Sequence, residues 1–331
     1  MNIVSRYIIY IRNIRRYSER TAQIYEEVLR NFVAYACDGD TSPSDRDILE
    51  NLIPSRIRSY EVSMLDSDPP KTPRTVNLHL SVLSGFCRFL IKEGFLESNP
   101  VKLVARPKTG SRLPVFYKKE AMEEYFSMTD WRASEKELEA FAQDWNTKSG
   151  KKSYERRLAR AVISTLYGLG LRRSELIGLI LSEVDFGRKV VKVRGKGDKM
   201  REIPLIASLS EEILLYLKAV ELMCGGKRSL KDPLFVTYSG RRLYPAYVDR
   251  LVKSELSGVK GLTGRKSPHV LRHSLATELM NQETDLNSIK EMLGHSSLAA
   301  TQVYTHSSVA RLKDIYKQAH PRAKNGGKHG D

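Results

Sequence analysis

The 331-residue sequence is short of cysteine, of acidic residues and of long apolar runs. Its three cysteines, Cys37, Cys87 and Cys224, are isolated, which excludes a disulfide framework or a Cys-x-x-Cys metal clamp and fits a reducing cytoplasm. No apolar run is long enough to cross a bilayer, so no membrane partner is expected. Arginines interrupt the partly apolar segment 1–16 and no small-residue cleavage site follows it, so no signal peptide is expected either.

Basic residues, by contrast, are abundant. Lysine and arginine total 55 against 39 aspartates and glutamates, which gives a formal net charge of +16. Because cations neutralise phosphates, an excess of this size spread along the whole chain predicts a nucleic-acid partner. The proportions of hydrophobic residues, 41%, and charged residues, 28%, are typical of a globular protein with a buried core. The length favours two domains.

Helical periodicity dominates the first third of the chain. In residues 21–36 and 74–92 apolar side chains recur every three or four positions, which predicts two helices that share one small core. The periodicity lapses over residues 99–114, where three prolines occur. We therefore predict a helical domain over residues 1–106 and a linker over residues 107–114.

The remaining sequence predicts a second domain over residues 115–320 that is mainly α with a small antiparallel β-sheet. Two β-prone segments flank the turn Gly195-Lys196-Gly197-Asp198, which indicates a hairpin. Helical spacing recurs at four places, residues 158–167, 210–223, 245–256 and 267–281.

Two segments stand apart from this pattern. Residues 127–157 are polar and weakly helical, with Trp131 and Trp145 as their only expected large anchors, and they look inserted. Residues 321–331 are rich in glycine, lysine and arginine and are expected to form a flexible tail.

Arginines also recur near the N-terminus, where Arg12, Arg16 and Arg20 lie four residues apart. On one helix they would form a row that faces DNA phosphates. A solvated helix face explains the same spacing equally well.

Charged and imidazole side chains mark three helix boundaries in the second domain. At the first, glycines end a helix, and Ser174 is expected to cap the next one, which places Arg172 in a tight turn beside Glu175. Glu175 could hold the Arg172 guanidinium in one orientation, or the two could form an ordinary surface ion pair.

The second boundary is the helix start predicted at Ser267 and Pro268. His269 and Arg272 lie three residues apart, so both can point at one phosphate. His273 follows His269 at the four-residue spacing of some zinc ligands, but no Glu follows His269 and no third ligand is evident, so no metal is expected. We expect His273 to point away from the face of His269 and Arg272 and to form a structural hydrogen bond.

At the third boundary Gly294 ends a helix, His295 follows directly, and Tyr304 comes nine residues later. A lone histidine or tyrosine is usually structural. The combination is more informative, because residues suited to phosphate chemistry occur in the order Arg172, Lys196, His269, Arg272, His295 and Tyr304.

This ordered set resembles the signature of the tyrosine recombinase family, also called phage integrase-type site-specific recombinases, and is most similar to its bacterial Xer-type members. The resemblance extends to the linker, with Asn99-Pro100 and Arg106-Pro107-Lys108, and to Ala319-His320-Pro321 near the end. It implies an N-terminal SAM-like core-binding domain that clamps DNA, followed by an α+β catalytic domain. Residues 127–157 are longer than the Xer-type pattern implies.

The resemblance also implies a reaction. The family attacks a DNA phosphodiester with its tyrosine, keeps the bond energy in a 3′-phosphotyrosyl link and frees a 5′-hydroxyl. Since one ester is exchanged for another and arginines stabilise the phosphate charge, no cofactor, metal or ATP is expected. The implied roles are nucleophile for Tyr304, proton acceptor for His269, general acid for Lys196, stabilisation of phosphate charge for Arg172, Arg272 and His295, and orientation of Arg172 for Glu175.

The implied partner is double-stranded DNA, on which four protomers assemble from a largely monomeric free protein, with or without a second recombinase subunit. Chromosome-dimer resolution and the integration or inversion of a mobile element use the same residues and stay open. A DNA-binding regulator without strand exchange is the alternative, and the presence of all six residues argues against it. The separate N-terminal domain argues against a topoisomerase.

Overall fold

The computed structural model describes residues 2–40, 43–110, 115–195, 198–226, 228–262, 264–281 and 292–294. Lys196, His295, Tyr304 and the predicted tail, residues 321–331, lie outside these ranges. The chain divides into two compact units, Met1–Arg112 and Leu113–Asp331. No helix in the described ranges is long and apolar enough to cross a membrane.

The first unit is helical. Its helices are α1 (Ile3–Ile9), α2 (Glu19–Ala36), α3 (Asp45–Glu50), α4 (Pro54–Leu65) and α5 (Pro73–Lys92). The Ser18 and Thr72 hydroxyls accept backbone N–H bonds at the starts of α2 and α5. A π-helical turn, Tyr10–Ile14, extends α1, and a 3-10 turn, Pro100–Leu103, follows α5.

The apolar stripes of α2 and α5 form the core of this unit, as their periodicity predicts. Leu29, Phe32, Leu80, Leu83 and Phe86 are all buried. Side chains of this size each contribute roughly 1.5–3 kcal/mol on burial, so the two helices hold the unit together.

The junction between the predicted helical domain and the predicted linker is bound to α5. Arg106 Nη1 donates to Ser81 Oγ at 2.9 Å, and Asn77 Nδ2 donates to the carbonyl oxygen of Pro107 at 2.9 Å. Residues 106 and 107 therefore follow the surface of the first unit.

The three arginines near the N-terminus do not form a row along one helix, so that expectation is wrong. Arg12 lies in the π-helical turn, Arg16 has a φ of 50°, and Arg20 belongs to α2. The chain turns between α1 and α2, which breaks the helical spacing. Arg12 also lies 2.9 Å from Glu19 and 3.5 Å from Glu26. Contact of these arginines with DNA stays a prediction.

The second unit combines helices with a small sheet. The helices in its described part are α6 (Lys119–Met128), α7 (Glu135–Asp144), α8 (Lys148–Gly168), α9 (Arg173–Gly178), α10 (Ala207–Cys224), α11 (Pro245–Ser257) and α12 (Pro268–Asn281). Its strands are β1 (Val184–Asp185), β2 (Val190–Arg194) and β3 (Met200–Pro204), antiparallel in the order β1-β2-β3. The predicted hairpin is β2 and β3, in which Val193 pairs with Arg201.

Helix α8 lies at the centre of the second unit. Residues 158–168 are buried on every side of the helix, and α8 contacts α10, α11 and α12. Most of these buried residues are apolar, and the exception with a charge, Arg160, donates to Glu212 inside the unit. Its last turn leads directly into the segment that carries Arg172.

The polar segment 127–157 is anchored by residues other than the two tryptophans. It forms a 3-10 turn, α7 and the first half of α8, and its buried aromatic side chains are Phe141 and Tyr154. Trp131 is 45% exposed, so the expectation that Trp131 and Trp145 are the only anchors is wrong. The Tyr154 hydroxyl donates to the carbonyl oxygen of Val236 at 2.9 Å, which satisfies its polar end inside the core.

Candidate active site

A glycine turn carries Arg172 from α8 to α9. Gly170 has a φ of 59°, and a Cβ at this position would lie 2.7 Å from the Leu293 side chain, so both backbone and packing require glycine. Arg172 itself takes the cap position of α9, and its backbone N–H donates to Glu175 Oε2 at 2.8 Å. The expectation that Ser174 caps this helix is wrong, because a carboxylate one residue further on fills the role from inside the first turn.

Glu175 is the buried centre of the site, only 6% exposed. Its Oε1 accepts from Arg172 Nη1 at 2.6 Å and from Arg201 Nη1 at 3.1 Å, and its Oε2 accepts from Arg201 Nη2 at 2.9 Å. Arg272 Nη1 lies 3.9 Å from Oε2. One carboxylate therefore faces three guanidinium groups, and Glu175 is no surface ion pair.

The charge state of Glu175 follows from these contacts. Burial raises the pKa of the carboxyl group, but the hydrogen bonds and charge of Arg201, with the hydrogen bonds from Arg172, outweigh burial and hold the pKa below its ordinary value. Glu175 is therefore ionised at neutral pH. Because three arginines share this one charge, the cluster keeps an excess of positive charge.

The same arginines bind the backbone of residues 292–294. Arg201 Nε donates to Met292 O at 2.9 Å, Arg272 Nη2 donates to Leu293 O, and Arg172 Nη2 donates to Gly294 O at 2.9 Å. His295 follows directly in the sequence and lies outside the described residues. Three consecutive carbonyl groups thus hold the three guanidinium groups.

Arg272 and Arg172 differ in their access to solvent. Arg272 is 5% exposed, and its Nη1 donates to Gly170 O at 2.7 Å. Burial, followed by the charge of Arg172, lowers the pKa of Arg272 to about 10, which still leaves it protonated at neutral pH. The Arg172 side chain is 36% exposed, so part of its guanidinium faces outward.

His269 lies in the first turn of α12, beside the arginines and in contact with His273. The Nε2 atoms of the two histidines are 3.1 Å apart, with the rings at 77°. The expectation that His273 points away from His269 is wrong, because residues four apart share a helix face. Partial burial, then the positive charges of His273, Arg272, Arg265 and Arg172, lower the pKa of His269.

The structure brings together Arg172, Glu175, His269 and Arg272 of the predicted set, and it adds Arg201. Arg201 was not among the residues predicted from the sequence, although the sequence carries a signal for it. Arg201 sits two residues before Ile203 on β3, so the alternation of a strand turns both side chains inward. An inward arginine needs a carboxylate partner, and Glu175 supplies it. Among the described residues, no group of three or more His, Cys, Asp or Glu side chains could hold a metal ion.

Comparison with known proteins shows the family of the chain. The family model described as phage integrase family matches residues 132–311, and that of the phage integrase N-terminal SAM-like domain matches residues 4–94. The chain belongs to the phage integrase family. It is 34% identical over 326 residues to the tyrosine recombinase XerC of Chlorobaculum parvum, covering 96% of this chain and 94% of the relative. It is 32% identical over 327 residues to XerC of Bacillus pumilus, covering 97% of both.

This phage integrase family member is a tyrosine-type site-specific recombinase, which confirms the predicted family and enzyme class. The alternative of a regulator without strand exchange is not favoured. Solved structures that share its fold include two complexes with DNA. The XerH recombinase bound to palindromic difH substrate is 20% identical, with a TM-score of 0.62, over 94% of this chain and 80% of that one. The Tn1549 transposon integrase bound to transposon right end DNA is 19% identical, with a TM-score of 0.61, over 98% of both. The predicted mainly α fold with a small antiparallel sheet is confirmed.

Proposed function

We propose that the protein exchanges strands between double-stranded DNA sites through a 3′-phosphotyrosyl intermediate on Tyr304. The observation that carries this proposal is the excess of guanidinium groups around Glu175, with Arg172 partly exposed beside His269. The net charge of +16 supports DNA as the partner, as do the DNA complexes of XerH and of the Tn1549 integrase.

The proposed cleavage step conserves the number of ester bonds. The Tyr304 oxygen bonds to the phosphorus, the bond from phosphorus to the 5′ oxygen breaks, and a 5′-hydroxyl leaves. A second 5′-hydroxyl then attacks the phosphotyrosyl link and restores the phosphodiester. Because ester exchanges for ester, the cycle needs no ATP.

Arg172 and Arg272 would lower the activation barrier by stabilising the negative charge that develops on the phosphate oxygens in the transition state. Each guanidinium carries five N–H donors, and contacts with Glu175 and backbone carbonyl groups use only some of them. Both groups are held in place before DNA arrives, so little reorganisation accompanies the reaction. Loss of one such donor typically slows a reaction by roughly 10² to 10³, or about 3–4 kcal/mol.

Proton transfer is assigned to His269 and Lys196. A phenol has a pKa near 10, so only about one part in a thousand is ionised at pH 7 and Tyr304 must lose its proton during attack. The lowered pKa of His269 keeps its imidazole neutral and able to accept that proton. Lys196 would protonate the leaving 5′ oxygen, and His295 would donate a hydrogen bond to the phosphate.

The proposal extends to assembly. The helical domain over residues 1–106 would clamp DNA together with the catalytic domain over residues 115–320, and four protomers would pair two sites. Light scattering should find a largely monomeric protein without DNA. If a second recombinase subunit takes part, strand exchange should require the addition of that partner protein.

Covalent capture tests the proposal. Wild type and Tyr304→Phe are each mixed with fragmented, nicked DNA from the source organism, denatured, and any DNA still attached to protein is sequenced. An adduct with wild type alone is expected, and its sequence context would distinguish dimer resolution from integration or inversion. An adduct that persists in Tyr304→Phe would overturn the nucleophile, and no adduct with wild type would overturn the proposed reaction.

A further inference from the structure

We infer that Arg201 is a positioning residue for strand cleavage, which fixes Glu175 and residues 292–294 so that Arg172 and Arg272 keep their orientation toward the phosphate. This inference rests on the proposed function. Arg201 is 6% exposed, and it is not one of the residues to which the family resemblance assigns a role.

The contacts of Arg201 leave it no face for DNA. Two of its nitrogens bind the two oxygens of Glu175 side by side, at 3.1 and 2.9 Å, and the third binds Met292 O at 2.9 Å. Such a two-pronged pairing fixes both the position and the plane of a carboxylate. Arg201 can therefore act only through the groups that it holds.

Those groups are the supports of the proposed phosphate-binding arginines. Glu175 Oε1 and Gly294 O accept from the Arg172 guanidinium, and Leu293 O and Gly170 O accept from that of Arg272. A Cβ at Gly294 would lie 3.1 Å from Arg201 Nη1, so the glycine gives the guanidinium room to lie against the backbone. From β3, Arg201 thus links the hairpin, the start of α9 and residues 292–294.

Arg201 also maintains the charge of Glu175. Its hydrogen bonds and charge are the leading causes that hold the pKa of this buried carboxyl group down against burial. Without Arg201 the pKa of Glu175 should rise. A protonated Glu175 would hold Arg172 less firmly, and the cleavage rate would then fall as the pH is lowered.

The experiment compares Arg201→Met and Arg201→Lys with Arg188→Met. Arg188 lies just before β2, and its side chain is 45% exposed in an ion pair with Glu202. Arg188→Met therefore controls for the loss of an arginine from the hairpin region. The rate of adduct formation on fragmented, nicked DNA is measured from pH 6 to pH 8, together with DNA retention and the melting temperature. Hydrogen exchange of the peptide that contains Arg172 is measured without DNA.

We expect Arg201→Met to slow adduct formation about 30-fold, with a larger loss at pH 6 than at pH 8 and DNA retention within about threefold. Arg201→Lys should recover part of the rate, because it keeps the charge but loses the two-pronged geometry. Hydrogen exchange at the Arg172 amide should rise in Arg201→Met, since that amide is bound to Glu175. Arg188→Met should match wild type in each measurement.

A double variant separates positioning from a general loss of folding. Because Arg201 acts through Glu175, Glu175→Gln combined with Arg201→Met should be little slower than Glu175→Gln alone. The inference would be overturned if the double variant were slowed by the product of the two single-variant factors and Arg201→Met kept the wild-type pH profile. A folded Arg201→Met that cleaves like wild type would also overturn it. If wild type formed no adduct the proposed reaction would fail, whereas unchanged hydrogen exchange in Arg201→Met would overturn the role of Arg201 separately.

Discussion

Two buried arginine–carboxylate centres among the described residues of the second unit use the same residue types in different proportions. Arg160 donates to Glu212 Oε1 at 2.7 Å, lies 3.6 Å from Asp130 and also donates to the carbonyl oxygen of Phe126. There, one guanidinium faces two carboxylates. At the other centre the single carboxylate of Glu175 serves three guanidinium groups.

The difference in balance separates a structural ion pair from a site that can receive an anion. The Arg160 side chain is 2% exposed and its charge is matched inside the protein, so it has nothing to offer a ligand. At the Glu175 centre positive charge is in excess, and the Arg172 side chain is 36% exposed. A DNA phosphate would supply the missing negative charge. The ratio of guanidinium to carboxylate groups at a buried centre is therefore more informative about ligand binding than the presence of an ion pair.

The largest effect on stability should come from breaking the Arg160 centre. Arg160→Met leaves Glu212 buried without its main partner, which should destabilise the second unit by about 3–5 kcal/mol and lower its melting temperature by roughly 6–20 °C. Calorimetry measures the change, and adduct formation at low temperature should be retained. Lys218→Met is the control, because Lys218 shares helix α10 with Glu212 but is 59% exposed and 4.0 Å from Glu135. It should change stability by less than about 1 kcal/mol.

A loss of cleavage in folded Arg160→Met as large as that for a residue of the Glu175 centre would break the comparison. Both centres would then serve catalysis, and the ratio of arginine to carboxylate would carry no functional information. Retained melting temperature would equally contradict the structural role of Arg160.

A smaller effect concerns the pH range of cleavage. Partial burial and neighbouring positive charges lower the pKa of His269, so this proton acceptor should stay neutral until the pH falls below the ordinary imidazole value of about 6.5. The rate of adduct formation should therefore fall only as the pH drops below that range. His273→Asn removes one of the charges that lower this pKa, so the acid-side loss should move to higher pH.

The pH profile of adduct formation, corrected for DNA retention at each pH, measures this shift for wild type and His273→Asn. A profile that stays in place would mean that His273 does not influence the proton acceptor. A shift to lower pH would contradict the assigned sign.

Much of the fold could be predicted from local patterns. The stripes at residues 21–36 and 74–92 lie in α2 and α5, and the glycine-flanked turn lies between β2 and β3, because burial imposes a period on each element. The two-residue strand β1 has no period to detect. Helix α7 and the start of α8 are polar at most positions, so they show no apolar stripe that would indicate the burial of Phe141 and Tyr154.

The site could be predicted in part, because residue type and order indicate chemistry but not contact. Arg172, Glu175, His269 and Arg272 do lie together. Arg201 was missed because its partner is 26 residues away in the sequence, and only the fold brings them together. The row expected for Arg12, Arg16 and Arg20 failed because one turn between two helices cancels any periodicity across it.

The most direct test of the account compares Arg172→Ala with Arg173→Ala. Arg173 is the adjacent residue, 43% exposed and paired with Asp249, so it carries the same charge without contact to Glu175. Single-turnover adduct formation on a duplex identified by covalent capture should slow by roughly 10² to 10³ for Arg172→Ala, with DNA affinity reduced by no more than about tenfold. Arg173→Ala should cleave close to the wild-type rate. Equal rates for Arg172→Ala and wild type would contradict the assignment of the Glu175 centre to the DNA phosphate.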